Sequence, residues 1–177
     1  VLNVPNAQSI FPELKKRGKE HLTFKPYKSN SWYGIAFNCE KPFLKNRNVR
    51  KALSHAVNIA SLIDDYYATV KIASADEPIA HRISGPFNPL WGTGDASLKP
   101  LIYDVSKAKE LLKSNNVDEK NNKRYYKDEE VQLKFIYNSG KVLIGSPEEL
   151  IIKRLIENIK NLGIKVKSVS FGAKDFS

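Results

Sequence analysis

The spacing of apolar residues along the chain predicts several strands. Residues 131–138 (VQLKFIYN) alternate apolar and polar side chains, which is the period of a half-buried strand. Residues 31–38 (SWYGIAFN) are dense in aromatic and apolar side chains. We therefore expect 32–38 and 132–137 to be strands of one sheet. Two further strands are predicted at 21–27 (HLTFKPY) and 164–171 (IKVKSVSF).

Helical periodicity appears between these strands. A first helix is predicted over 48–57 with Asn48 as its N-cap, a second after Asn58, and a third from Asp104. A short helix or turn is expected to end at Gly18. The apolar faces of the three main helices are formed by Val49, Leu53, Ala56 and Val57; by Ile59, Leu62, Ile63 and Tyr66; and by Val105, Ala108, Leu111 and Leu112.

Two segments lack such periodicity. Residues 74–103 contain four prolines and three glycines. An irregular segment of that length inside a compact domain usually wraps a surface or borders a site. Residues 116–130 (NVDEKNNKRYYKDEE) are polar and predict a hairpin or loop.

The loop after the 131–138 strand resembles a phosphate-binding loop but lacks its chemistry. Gly140 and Gly145 have the spacing of the two glycines of such a loop. Ser146 stands where the phosphate-binding lysine is required, and the loop interior (KVLI) is mostly bulky and apolar. Nucleotide binding is therefore rejected here.

The same residues are better explained as the start of a helix. Ser146 is predicted as the N-cap, Pro147 as the first helical residue, and Glu149 as the partner of Ser146 in a capping box. Gly163 is expected to end the helix. The apolar face is formed by Leu150, Ile151, Leu155, Ile159 and Leu162. The resulting order, β-α-α-loop-α-β-α-β, predicts an α/β domain with helices packed against a sheet.

Composition adds a basic character to this picture. The 177 residues carry a net charge of +10, and residues 1–71 hold 12 of the 29 Lys and Arg against 5 acidic residues. A basic face can attract nucleic acid or anionic lipid. No nucleic-acid-binding motif accompanies the charge, so a solvated basic surface is the preferred interpretation. Arg50 and Lys51 are accordingly expected to make surface or inter-element contacts.

The sequence also suggests that the chain is one piece of a longer protein. It starts at Val1 and contains no methionine. Its length suits one domain or one lobe of a larger protein.

The cysteine and histidine residues of the sequence show no spacing typical of a catalytic or a metal-binding site. Cys39 is the single cysteine, which excludes an intrachain disulfide, and it has no histidine or basic partner placed beside it by sequence. His21, His55 and His81 share no metal-ligand spacing. No nucleophile elbow and no acid pair in an apolar setting is present. These observations favour a binding protein without a cofactor over an enzyme.

The stretch WYGIAFNCEKPFLKNRNVRKALSHAVN (32–58) resembles the signature of extracellular solute-binding proteins of family 5, the peptide-, dipeptide- and nickel-binding components of ABC importers. The matching positions here are Phe37-Asn38, Val49-Arg50, Ala52 and Ala56. YDVSKAKELL, FIYNSG and IKNLGIKVKSVSF resemble later elements of the family in the same order. The departures are Asn58-Ile59, where the family has Asp-Arg, and the end of the chain before the family's Trp- and Asp-bearing segment.

The resemblance implies a fold and a site. The fold is one lobe of a type II periplasmic-binding-protein fold, with a mixed sheet flanked by helices. Residues 1–30 correspond to a lead-in or hinge from the first lobe, and 31–177 to a ligand-binding lobe that is incomplete at its C-terminus. The expected ligand-binding residues are Trp32 and Tyr33, with core or interface packing as the alternative. Asn138 and Ser139 are also expected there, with turn chemistry as their alternative.

The implied partners are a peptide ligand and the ABC permease subunits in the membrane, with the protein outside the cytoplasm, lipid-anchored in its full-length form, and monomeric. Another solute on the same scaffold, such as a nickel complex, haem or an oligosaccharide, is an open alternative. A basic nucleic-acid-binding module and a hydrolase with its active residues outside this chain are further alternatives; no nucleic-acid partner is expected.

Overall fold

The computed structural model describes residues 32–70, 82–83, 85, 95, 97–140, 142 and 145–172. The lead-in 1–30, the helix ending at Gly18, the strand at 21–27 and most of the 74–103 segment lie outside these residues. The helices and strands in chain order are α1 (Pro42–Lys45), α2 (Arg47–His55), α3 (Ile59–Val70), α4 (Val105–Lys113), β1 (Val117–Lys120), β2 (Lys123–Tyr126), β3 (Glu129–Glu130), β4 (Gln132–Asn138), α5 (Pro147–Lys160) and β5 (Lys165–Phe171).

The described strands form both parallel and antiparallel pairs. β4 and β5 are parallel, from Gln132 opposite Lys165 to Asn138 opposite Phe171. α5 connects them, which makes a β-α-β unit. β1, β2 and β3 form an antiparallel meander within the polar segment 116–130. The predicted α/β class, the hairpin and the strands at 131–138 and 164–171 are confirmed.

The core lies where α2 and α4 pack against the strands. Its fully buried side chains come from α2, α4, the two sheets and the end of α5, and they are Val49, Ala52, Leu53, Ala108, Leu112, Val117, Val131, Leu162 and Ile164. A second cluster, between α3 and α5, contains Val57, Leu62 and Leu155. Burial of these aliphatic side chains supplies the main stabilising free energy of the fold.

Residues 32–38 are not a strand, so the prediction that they share a sheet with 132–137 is wrong. A strand requires a neighbouring strand that hydrogen-bonds its backbone N–H and C=O groups. An aromatic composition favours a strand but does not provide that neighbour. Within the described residues, the segment makes one backbone–backbone hydrogen bond, from the Lys41 amide to the Asn38 carbonyl. Trp32, Tyr33 and Ile35 are exposed.

The N-cap of α2 also differs from the prediction. Asn46, not Asn48, is the cap, and its side chain accepts a hydrogen bond from the Asn48 amide at 2.8 Å. Asn46 has an extended backbone and is both the C-cap of α1 and the N-cap of α2. The helix therefore begins at Arg47, one residue before the predicted start at 48. The cap at Asn58 is confirmed by a hydrogen bond from the Ser61 amide, and the helix predicted from Asp104 begins there, with Asp104 as its N-cap accepting from the Lys107 amide.

The capping residue of α5 gives a first test of these assignments. Ser146 Oγ accepts a hydrogen bond from the Glu149 amide at 3.2 Å. Ser146→Ala is expected to lower the free energy of unfolding by about 1 kcal/mol, because one helix-start amide loses its acceptor. Urea unfolding followed by circular dichroism measures this; a midpoint equal to that of the unmodified chain would contradict the role. Ser146→Asp, which keeps an acceptor, should retain most of the stability.

Candidate functional site

The carboxyl ends of β4 and β5 meet at one edge of the parallel pair. Asn138 and Phe171 are the last residues in register. In α/β sheets, ligands bind in the crevice outside this edge. The connection from β4 to α5 begins at this edge, so the start of α5 also lies at the carboxyl ends of the strands.

Asn138 and Ser139 organise this edge. Asn138 Oδ1 accepts a hydrogen bond from the Gly140 amide at 2.9 Å, and its amide nitrogen has no partner within the described residues. The amide and hydroxyl of Ser139 both donate to the Phe171 carbonyl, at 2.9 and 3.0 Å. The turn role of both residues is therefore present. A contact between them and a ligand remains a prediction, for which the Asn138 amide nitrogen is the available donor.

Tyr33 lies at the beginning of α5. Its hydroxyl donates a hydrogen bond to Glu148 Oε1 at 2.8 Å, 115 residues away in sequence. Partial burial of the phenol, followed by its bond to the Glu148 carboxylate, raises the pKa of Tyr33 above its usual value. The phenol therefore stays protonated and remains a donor at neutral pH. The structure thus places Tyr33 and the Asn138–Ser139 pair at the two ends of one connection.

Trp32 adds an exposed aromatic surface next to Tyr33. Its side chain is 54% exposed, and the ring lies over Gly34, where an added Cβ would overlap the indole. Glycine at position 34 is what allows the ring to lie against the backbone. The described residues show no contact of Trp32 or Tyr33 with Asn138 or Ser139. Tyr33 reaches only the start of α5, through Glu148.

Sequence reasoning missed Glu148. It treated the start of α5 as a cap alone, although two consecutive acidic residues after a Ser-Pro pair were a visible signal. Glu149 is engaged locally: it accepts from the Gly145 amide at 2.7 Å and pairs with Lys153 at 2.9 Å, and the Gly145 bond, then Lys153, lowers the pKa of the Glu149 carboxyl. Glu148 instead faces Tyr33, which leaves a carboxylate able to accept hydrogen bonds from a ligand.

The polar groups of the described part of this arrangement can bind a polar solute. The Asn138 amide lies at the β4 end of the β4–α5 connection, and the Glu148 carboxylate with the Tyr33 hydroxyl lies at its α5 end. Across the described ranges, no cluster of three His, Cys, Asp or Glu side chains could hold a metal ion. None of the helices in those ranges combines the length and the hydropathy that crossing a bilayer requires.

The comparisons with known structures show the same lobe in much longer proteins. The oligopeptide-binding protein AppA from Bacillus subtilis, in complex with a nonapeptide, is 20% identical with a TM-score of 0.63, over 79% of this chain and 26% of that chain. DppA from Helicobacter pylori, in complex with the peptide STSA, is 26% identical with a TM-score of 0.53, over 78% and 22%. NikZ from Campylobacter jejuni, in complex with Ni(L-His), is 22% identical with a TM-score of 0.59, over 77% and 25%.

The chain therefore spans about a quarter of the length of these proteins. No functionally curated protein is significantly similar to it. Residues 1–173 match the family described as bacterial extracellular solute-binding proteins, family 5, middle part. This match covers nearly the whole sequence, and it agrees with the α/β lobe and the open edge of its parallel strands. The chain belongs to the family 5 bacterial extracellular solute-binding proteins.

Proposed function

We propose that this chain is one lobe of a two-lobe protein that captures peptides outside the cytoplasm and delivers them to an ABC permease. The observation that carries the proposal is the family match over residues 1–173. The peptides bound to the neighbours from Bacillus subtilis and Helicobacter pylori support a peptide as the solute. Within the proposal, the full-length protein is monomeric and lipid-anchored.

Capture in this mechanism is conformational and needs no covalent chemistry. Two lobes close over the ligand, and the closed form is the one presented to the permease. In this proposal, Asn138 and Ser139 at the end of β4, and Tyr33 with its neighbour Trp32 near the start of α5, form this lobe's share of the cleft. Backbone groups of an extended peptide would bind the Asn138 amide and the Glu148 carboxylate, while the aromatic side chains would cover its apolar atoms.

Calorimetry with a pool of tri- to pentapeptides tests the proposal. The two-lobe protein is expected to bind at micromolar affinity, and this 177-residue chain only near millimolar. Micromolar affinity corresponds to a binding free energy of about −8 kcal/mol. Because one side of the site is absent, we expect about half of this free energy to be lost, and the remaining about −4 kcal/mol corresponds to millimolar affinity. Micromolar binding by the chain alone would contradict the shared cleft. Failure of the two-lobe protein to bind any peptide would reject a peptide as the solute.

Matched variants of the two-lobe protein locate the site within this lobe. Tyr33→Phe removes the hydroxyl that binds Glu148 and keeps the ring. Tyr103→Phe makes the same change at an exposed tyrosine in the segment before α4. Peptide affinity should fall several-fold for the first variant and stay unchanged for the second. Equal effects of the two variants would exclude the Tyr33 edge from the cleft.

A second candidate solute is a metal complex, and one observation favours it: the neighbour from Campylobacter jejuni holds Ni(L-His). The same calorimeter distinguishes the two, with nickel and histidine titrated together against the two-lobe protein. Heat that saturates with this mixture, and no heat with peptides, would favour the metal complex.

A further inference from the structure

The surface around the start of α2 carries unusually concentrated positive charge. From Lys41 to Ile63 the sequence contains five Lys and Arg and no Asp or Glu. Lys41, Lys45 and Arg47 are exposed, and Lys51 is half-buried. None of these four has an ion pair with a described residue. Elsewhere on the surface Lys107, Lys123, Lys153 and Arg154 contact carboxylates, whereas Lys134, Lys165 and Lys167 also lack an ion pair with a described residue. The run of cations without an acidic residue, and not the missing ion pairs alone, therefore distinguishes this surface.

Tertiary contacts add one more cation to this surface. The ring of Phe43 in α1 packs edge-on against Tyr126 of β2, with centroids 5.9 Å apart. Lys127 lies over the same Tyr126 ring, 5.6 Å from its centroid. The adjacent Asp128 forms its ion pair with Lys120, at 4.0 Å, and Lys127 has no ion pair with a described residue. We name Lys41, Lys45, Arg47, Lys51 and Lys127 the basic corner.

Local stability does not explain these charges. Arg47, Arg50 and Lys51 lie at i, i+3 and i+4 on α2, where like charges repel. Arg47 is also the first residue of the helix, at its positive end, where acidic residues are favoured. Arg50 has a structural use, since its Nη1 donates to the Leu44 and Lys45 carbonyls at 2.8 and 2.9 Å. The exposed members of the basic corner have no comparable partner within the described residues.

We propose that the basic corner is a contact surface for a bilayer bearing anionic phospholipid headgroups. Lysine and arginine tips on long, flexible stems fit a plane of laterally mobile phosphates, and these five cations lie on exposed or half-buried positions of α1 with its N-cap, α2 and the β2–β3 turn. The attraction adds up over several cations near the membrane surface and is screened beyond about 8 Å at physiological salt. The inference is independent of which solute the protein captures.

Sedimentation of the 177-residue chain with lipid vesicles tests the proposal. The probes are vesicles of phosphatidylcholine alone and of phosphatidylcholine with 30 mol% phosphatidylglycerol, chosen as about a third anionic lipid. Binding is expected only to the anionic vesicles and should fall steeply as salt rises from about 0.05 to about 0.5 M. Equal binding to both vesicle types, or none to either, would overturn the proposal.

Two charge-matched double variants assign the surface. Lys41→Glu with Arg47→Glu reverses two charges of the basic corner at helix starts, where acidic residues favour folding. Lys165→Glu with Lys167→Glu makes the same charge change on exposed residues of β5, where Lys167 lies opposite Lys134. The first variant should lose at least about 30-fold in vesicle affinity, since each cation contributes about 5-fold; the second should lose much less.

Equal losses would show attraction by net charge alone and overturn the assignment. Circular dichroism must show both variants folded, and a second pair, Lys45→Gln against Lys165→Gln, repeats the comparison with a smaller perturbation. Binding to duplex DNA that depends on the basic corner, without vesicle binding, would assign the surface to another polyanion and likewise overturn the membrane proposal.

Discussion

Replacing Arg124 by alanine is expected to lower the free energy of unfolding by about 3 kcal/mol, because a buried, paired charge is removed from the junction of β2 and α5. Arg124 is 2% exposed. Its Nε donates to the Leu162 carbonyl at 2.8 Å, and Nη2 lies 2.6 Å from Glu119 Oε2. That second contact is an ion pair by distance and not a well-directed hydrogen bond.

The loss has two parts. The variant leaves a cavity among side chains of the main core, and it leaves the buried Leu162 carbonyl without its side-chain donor. Glu119 regains water because its side chain is 39% exposed, which keeps the loss at the lower end for a broken buried pair. Chemical denaturation measures the change.

Arg154→Ala provides the matched control. Arg154 has two ion pairs, to Asp65 and Glu157, both at 3.1 Å, but its side chain is 48% exposed. Exposed pairs are screened by water and salt, so the unfolding midpoint should move little. If Arg154→Ala destabilised the chain as much as Arg124→Ala, burial would not be what gives Arg124 its importance.

Gly163→Ala is expected to destabilise the fold by about 3 kcal/mol, from left-handed backbone strain and a collision with neighbouring backbone. Gly163 has φ of +82°, and an added Cβ would lie 2.7 Å from the Asn122 carbonyl oxygen. Neither backbone moves easily, because the Gly163 carbonyl accepts a hydrogen bond from the Arg124 amide at 3.0 Å. The measurement is again chemical denaturation.

Gly145→Ala separates the two causes. Gly145 has a similar φ of +79°, but nothing lies within 4 Å of an added Cβ. Its replacement should cost about 1 kcal/mol, which is the backbone strain alone. If the two glycine variants lost equal stability, the close approach of Gly163 to Asn122 would have no energetic consequence.

Both sensitive residues lie at the amino end of β5, away from the proposed ligand edge. Arg124 and Gly163 fix the meander to the end of α5, and this junction holds β5 in register with β4. The carboxyl ends of the two strands, with Asn138 and Phe171, are positioned from there. We therefore expect solvent-exposed changes at the ligand edge to affect binding more than stability.

Several elements could be predicted from the sequence because short-range chemistry dictates them. The start of α5 is specified within four residues, by Ser146, Pro147 and Glu149. Gly163 follows shortly after its end. The predicted hydrogen bond from the Glu149 amide to Ser146 is present, although the Glu149 carboxylate turns to the Gly145 amide and not to that of Ser146. The periodic apolar faces of α2 and α4 are likewise buried as predicted.

The errors arise where a long-range partner decides the conformation. Residues 32–38 have strand composition, but only an adjacent strand could make them one, and no local pattern shows whether it is present. The Tyr33–Glu148 contact joins residues 115 positions apart, so the sequence could indicate Tyr33 but not its partner. Asn138 and Ser139 were recognisable as turn residues, and their connection to Phe171 required the parallel pairing of β4 and β5.

The sequence by itself determined the α/β class, the starts of α3, α4 and α5, the polar hairpin and the family, because periodicity, capping residues and motif order are local properties of the chain. Only the tertiary structure decided that residues 32–38 are not a strand, that Glu148 contacts Tyr33, and that Arg124 is buried. The polar hairpin at 116–130 contains several Lys and Arg residues, and no local pattern shows which of their side chains is buried. Burial depends on where β2 meets the end of α5, and packing between distant elements sets that position.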